Sequence, residues 1–217
     1  MGIGWASFIA HCQAILVQLP WLRQAAGEIC QLGLAFIVTF LVIQPLILAS
    51  YATPTGSMEP TIMANSRYLA LPAIFGGFLR FTAIKLPGLR PIRRGDIVIF
   101  KLPQNPKLNY VKRVVGLPGE RVALRGKVAY IDGNPLPEPY AQYDPAVPDD
   151  SRSDYGPVVV PENHLLVLGD NRDHSWDSRY WGFVPVRNVF GTPLVVFWSY
   201  DRERRRIRLK ELGKPIR

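Results

Sequence analysis

Cysteine is nearly absent from this 217-residue chain: Cys12 and Cys30 are the only two, so nothing beyond residue 30 can form an internal disulfide or a cysteine metal site. Whatever folds after that point is held by packing. Charge is missing from the opening, where Arg23 and Glu28 are the only Asp, Glu, Lys or Arg residues among the first 50. Histidine is scarce, at positions 11, 164 and 174, which leaves few imidazoles for acid–base work. Charged residues make up 20% and hydrophobic residues 48%, a balance that excludes disorder for most of the chain. With 20 Pro and 18 Gly, a helix-only fold is disfavoured and a turn-rich β body is expected. The net charge is +9, but residues 202–217 hold eight basic and two acidic groups and so carry +6 of it. The basicity is mainly a C-terminal tail, so no nucleic-acid partner is expected; a non-catalytic basic protein binding lipid or nucleic acid through that tail is the competing reading.

From Ile29 to Ser50 the chain reads ICQLGLAFIVTFLVIQPLILAS, without a charge. Twenty helical residues at about 1.5 Å each cover the roughly 30 Å of a bilayer core, so residues 29–50 are expected to form a transmembrane helix. A cleaved secretory signal would begin nearer the start behind a basic region, so the span is expected to stay in the mature chain. Pro45 removes one intrahelical hydrogen bond near the exit and favours a kink there. Residues 1–28 form an N-terminal segment in which Met1 to Leu22 is either a poor additional span or an interfacial helix, interrupted by His11, Gln13, Gln18 and Pro20.

After residue 50 the pattern becomes short β-branched and aromatic runs bounded by Gly, Pro, Asp and Asn. Residues 96–101, 110–115, 122–124, 128–131, 165–168 and 194–198 read as strands, with a turn at Asp132-Gly133-Asn134. The Pro-rich stretch 135–157 reads as a loop or extended excursion. The fold class expected is mainly β: an antiparallel catalytic body over residues 51–201, tethered by the N-terminal helix, with a basic tail at 202–217.

Two groups of residues could carry chemistry. Thr55-Gly56-Ser57-Met58-Glu59-Pro60-Thr61 sets a serine in a Gly/Pro-flanked bend, which can present a hydroxyl and adjacent N–H groups together, although the same segment would serve as an ordinary turn. The hydroxyl needs a base. A Ser-His-Asp triad would have to use His164 or His174, the latter inside Gly169 to Arg179, GDNRDHSWDSR. The alternative is Lys112 in the strand YVKRVV, where alternation puts Lys112 with Tyr110 and Val114, and Arg113 with Val111 and Val115. A lysine on an apolar face loses hydration of its ammonium form and can become a neutral base, whereas an arginine cannot. The plainer alternative is a surface lysine whose stem packs while its head reaches water.

TGSMEPT, RRGDIVIF, YVKRVVGLPGE and LGDNRDHSWDSRYWGFVP, in that order behind an apolar span with Gln44-Pro45 near its end, resemble the successive motifs of type I signal peptidases, the leader peptidases. The resemblance runs from about Gln44 to Val186 and continues more weakly through VVFWSYD. It implies a serine endopeptidase with a Ser-Lys dyad: Ser57 as nucleophile, Lys112 as general base, and the Thr55 hydroxyl with the Ser57 N–H as oxyanion hole. Ser175 then corresponds to the hydroxyl that bonds the lysine, and Asp177 and Arg179 to a supporting ion pair. Arg113 belongs to the same motif but on strand parity points away from the nucleophile. Pro54, Met58, Ile62, Tyr110 and Val111 match positions that line or flank the substrate pockets. The implied partners are the lipid bilayer and preprotein signal peptides with small residues at the first and third positions before the cut, a spacing that suits a strand-like substrate. No metal or organic cofactor is implied, and the implied location is the plasma membrane or an equivalent energy-transducing membrane, with the catalytic domain on the extracytoplasmic side. The substrates are either exported proteins in general or the few of a dedicated conjugation or secretion system.

Three departures from the family pattern stand out. Nine residues separate Gln44-Pro45 from Thr55, His174 occupies a place often held by Asn, and residues 113–168 are short, leaving no room for an elaborate second β domain. Tyr68 to Phe81, with Phe75, Phe78, Leu79 and Phe81, is either a hairpin or loop dipping into the membrane surface or a set of core strands.

Overall fold

The computed structural model describes residues 20–40, 48–78, 84–147 and 154–217. Two compact units divide the chain, residues 1–44 and 45–217. In the first, helix α1 spans Pro20–Val38. It opens on a proline, whose missing N–H costs nothing at a helix start, and it begins nine residues before the expected span. Its later side chains are exposed on every side, among them Ile29, Leu32, Leu34, Phe36 and Ile37. No helix among the described residues is long and apolar enough to cross a membrane. Residues 41–47, with Pro45, lie outside the described residues, as does the segment 1–19. At the far end of the expected span, Ala49 and Ser50 are not helical. They open strand β1 because they pair with Ala70 and Leu69.

Among its described residues the second unit has twelve strands: β1 (Ala49–Thr53), β2 (Ser66–Leu71), β3 (Ile97–Leu102), β4 (Asn105–Gly116), β5 (Arg121–Arg125), β6 (Val128–Ile131), β7 (Asn134–Pro135), β8 (Tyr155–Val159), β9 (His164–Leu168), β10 (Val184–Pro185), β11 (Val189–Asp201) and β12 (Arg206–Ile207). Eight form one sheet in the order β1-β2-β11-β3-β4-β9-β10, with β12 on β11, and four form a smaller sheet, β7-β6-β5-β8. Every strand pairing is antiparallel.

Strand β3, IVIFKL, is apolar without interruption for four residues because both of its faces are covered. Ile97 and Ile99 enter one core with Val111, Met58, Ile62 and Phe190. Val98 and Phe100 enter the other with Val114, Val167 and Trp181. A third cluster joins the two sheets through Val115, Leu166 and Leu168 against Val122, Leu124 and Ala129. The turn at Asp132-Gly133 has positive φ at both residues, 50° and 84°, the backbone a two-residue hairpin requires.

Of the segments with open expectations, the Pro-rich stretch contains the start of β8, which pairs with β5, and residues 148–153 lie outside the described residues. Tyr68 and Phe75 are buried, and Phe78 packs edge-on against Phe190 at 6.1 Å, so these rings belong to the core. Leu79 and Phe81 lie outside the described residues. The basic segment 202–217 folds back on the body. Strand β12 pairs with β11, Pro215 bridges Val195, and Ile216 is buried in the first core.

Candidate active site

Strand β4 carries Lys112 opposite Val98 and Arg113 opposite Ile97, so the two cations face the two different cores. Lys112 is 2% exposed, and its amine lies 2.5 Å from Ser57 Oγ, to which it donates. Burial, the largest influence, pushes its pKa down from the ordinary lysine value to about 8; Asp177 and Asp170 pull it back up, and Arg179 works against them.

Ser57 sits in a turn beyond β1, fixed from both sides. Met58 and Ile62, both fully buried, anchor the loop in the first core. Glu59 N–H donates to Gly56 O at 3.1 Å, and Ile62 N–H to Met58 O at 2.8 Å. The segment after β9 holds the other side: Asn171 N–H donates to Ser57 O at 3.2 Å and Asn171 Nδ2 to Gly56 O at 3.0 Å. Thr61 Oγ1 donates to Asp170 Oδ2 at 2.5 Å. Gly169 is the point of closest approach, since a Cβ there would lie 2.4 Å from Ser57 O and 2.2 Å from Ser175 Oγ.

Three buried arginine–carboxylate pairs frame this segment. Asp177 takes Arg179 Nε at 2.8 Å and Nη2 at 2.9 Å, and also accepts Gly169 N–H at 3.0 Å. Arg113 is bidentate on Asp170 at 2.8 and 2.7 Å, and its guanidinium lies 3.9 Å from the centre of the Tyr140 ring. Arg172 donates to both oxygens of Glu138, at 2.8 and 2.5 Å. Bidentate geometry occupies each carboxylate where it stands, which keeps Asp177 engaged by Arg179 and leaves the Lys112 amine to its hydroxyl partner.

The residues expected from the sequence divide as follows. Ser57 and Lys112 meet, and Asp177 pairs with Arg179. Ser175 is buried beside Gly169, but its hydroxyl makes no hydrogen bond among the described residues, so the expected contact with Lys112 is not formed. A cleft of about 390 Å3 opens over the pair, lined by Pro54, Thr55, Tyr110 and Val111 among others. Met58 and Ile62, expected at its wall, lie beneath it in the core, because they are spent on anchoring the loop. The Ser57 N–H has no acceptor among the described residues. His174, the base of the alternative triad, is more than half exposed at the cleft rim and bonds Asp144 at 3.1 Å. His164 lies near the Glu162 carbonyl at 2.9 Å.

Sequence reasoning missed Asp170, Asn171 and Glu138, whose partners Arg113, Gly56 and Arg172 are 34 to 115 residues away along the chain, and Tyr140, whose ring lies under Arg113. It also missed the cleft residues Tyr51, Tyr68, Leu108 and Trp176. The aromatic spacing in SYAT and SRYLAL was the available signal for the first two.

An antiparallel β body with a buried serine–lysine pair at the floor of a cleft belongs to the class of serine peptidases. The chain belongs to the family described as signal peptidase, peptidase S26, which matches residues 26–198. It is similar to a signal peptidase I of Leptolyngbya laminosa, 37% identical over 186 residues that cover 82% of this chain and 80% of that protein. A signal peptidase I of Bacillus caldolyticus is 40% identical over 164 residues, covering 72% of this chain and 82% of its own. Among solved structures, a signal peptidase I from Enterococcus faecalis V583 aligns with a TM-score of 0.42 and 34% identity, over 48% of this chain and 98% of that one.

Proposed function

We infer that this chain is a membrane-associated endopeptidase that removes signal peptides from exported preproteins, with Ser57 as nucleophile and Lys112 as general base. The observation that carries the reading is the 2.5 Å contact between a serine hydroxyl and the amine of a lysine that is 2% exposed. Family membership supports the substrate class.

The amine must be neutral to accept the Ser57 proton, and burial among apolar atoms favours that form. Ser57 Oγ attacks the scissile carbonyl as Lys112 takes the proton. The resulting oxyanion is met by the Ser57 N–H and the Thr55 hydroxyl. Lys112 then gives its proton to the departing amine, and water, deprotonated by the same lysine, hydrolyses the acyl-enzyme. Ser175, buried and without a partner, supplies an acceptor for the transient ammonium after a rotation of its side chain. Asp177 and Arg179 hold the segment on which Ser175 stands.

Pro54, Tyr110 and Val111 contribute to the binding walls, while Met58 and Ile62 shape them from below. Small substrate residues at the first and third positions before the cut fit an extended segment that turns alternate side chains toward one wall. The exposed apolar side chains of α1 support a tether in lipid; cleavage of exported preproteins requires the β body on the extracytoplasmic side of the membrane. The test is cleavage of a preprotein in detergent by wild type, Ser57→Ala and Lys112→Ala. Turnover is expected from wild type alone, and sustained turnover by either variant, with contaminating protease excluded, rules out the dyad.

A further inference from the structure

We propose that Trp176 is a specificity-determining residue: its indole contacts an apolar side chain of the extended substrate segment next to the scissile bond. The inference rests on the peptidase reading above and concerns the same cleft.

Trp176 interrupts a run of buried residues. Ser175 is 5% exposed, Asp177 0% and Ser178 1%, while Trp176 between them is 48% exposed. Its backbone has little freedom. Asp177 caps helix α2 (Ser178–Trp181) by accepting Arg179 N–H, is gripped by the Arg179 guanidinium, and accepts Gly169 N–H from the end of β9. On its other side, the Trp176 carbonyl accepts Trp181 Nε1 at 3.4 Å. The ring is steadied as well, lying edge-on to Tyr110 with centroids 6.5 Å apart. Tyr110 in turn lies 5.8 Å from the Lys112 amine, measured to its ring centre.

The indole is thus a large apolar surface held in one place, in the wall of the cleft that contains Ser57 and Lys112. Among the large exposed hydrophobic side chains described in the β unit, only Leu108 and Trp176 line this cleft. A rigid aromatic half in water at the mouth of a site has much to gain from being covered, and a bound peptide is what the cleft admits. Tyr and Trp also lose little side-chain freedom on contact, so a pre-positioned indole discriminates between side chains by the area each one covers.

The test uses the full chain in detergent and a set of peptides spanning one cleavable bond. Each peptide carries Leu or Ser at one flanking position, with the small residues required before the cut left fixed. The readout is the Leu-over-Ser ratio of kcat/KM at each position for wild type, Trp176→Ala, Trp176→Gln and Trp176→Phe, with the melting temperature of each variant recorded. The ratio should fall about tenfold or more at one position in the Ala and Gln variants and recover with Phe, with the other positions unmoved. A loss shared equally by all peptides, or ratios equal to wild type throughout, overturns the proposal. So does a displaced pH profile with every ratio intact, which would make the indole a shield for Lys112 instead. Failure of the wild type to cut any peptide overturns the peptidase reading and this inference together, whereas cutting with unchanged ratios overturns the inference alone.

Discussion

Lys112 shows how a strand can take a surface residue type out of water. On β4 it stands opposite Val98, with the apolar residues of the second core along the same face. Two readings of this lysine were open from the sequence, a hydrated surface group or a desolvated base, and the choice depended on what covers the face. No local pattern in YVKRVV reveals that, because the hydroxyl that meets the amine comes from the Ser57 loop, 55 residues away along the chain. Desolvation has a consequence for stability. The folded-state pKa of the amine, about 8, lies below its unfolded value, so the unfolded chain binds the extra proton between about pH 8 and about pH 10.5. Stability therefore rises with pH across that window, and the penalty is present in full below it. Lys112→Met should abolish turnover yet stabilise the fold at pH 7 by on the order of 1 to 3 kcal/mol, an advantage that fades as pH approaches about 10.5. Denaturant titrations of both proteins at several pH values measure this, and a variant less stable than wild type at pH 7 contradicts it.

Elements, more than single residues, hold the serine in place. The nucleophile loop leaves β1, touches the segment that follows β9 through Asn171 and Asp170, and sinks Met58 and Ile62 into the first core. Gly169 sits where these pieces converge. Gly169→Ala should push the Ser57 carbonyl and the Ser175 side chain away, costing about 1 to 3 kcal/mol in stability and roughly 10² in kcat. Thermal unfolding and steady-state kinetics measure both, and near-wild-type kcat would mean the loop is held elsewhere. Strands β3 and β9 and the second half of β4 were legible in the sequence because burial on two faces leaves a continuous apolar run, while β6 was legible from its β-branched and aromatic residues ahead of the Asp132-Gly133 turn. Strands β1 and β2 were not, since ASYAT and SRYLAL carry polar residues on an outward face. In β8, YGPVV, a Gly-Pro pair disguises a strand that pairs with β5. The dyad itself was readable through motif order, but the Arg113–Asp170 and Arg172–Glu138 pairs were not, because a buried ion pair between distant segments leaves no periodicity.

At the scale of the molecule, an apolar helix and a β body form separate compact units. The body has its own three apolar clusters, and its terminal segment 213–217 is tied in by hydrogen bonds from Gly213 to Val196, Val196 to Lys214 and Ile216 to Leu194. Residues 45–217 should therefore fold without the helix and cut a short peptide within about threefold of the full chain, while losing association with lipid vesicles. Circular dichroism melting, peptide kinetics and vesicle flotation check the three parts, and a truncated body without a cooperative transition contradicts the division. Of the two readings open for the basic segment, a binding arm or a solvated C-terminal strand, its pairing with β11 favours the second, and it is largely part of this body.

The account depends on a neutral amine beside Ser57, and the pH dependence of kcat/KM for a preprotein-derived peptide tests it most directly. Activity requires the unprotonated base, so the rate should climb with pH through a midpoint near 8 and lose that limb when Lys112 is replaced. A rate already level through that range contradicts the assignment, as does a break near about pH 6.5, where imidazoles ordinarily titrate, that disappears in His174→Ala.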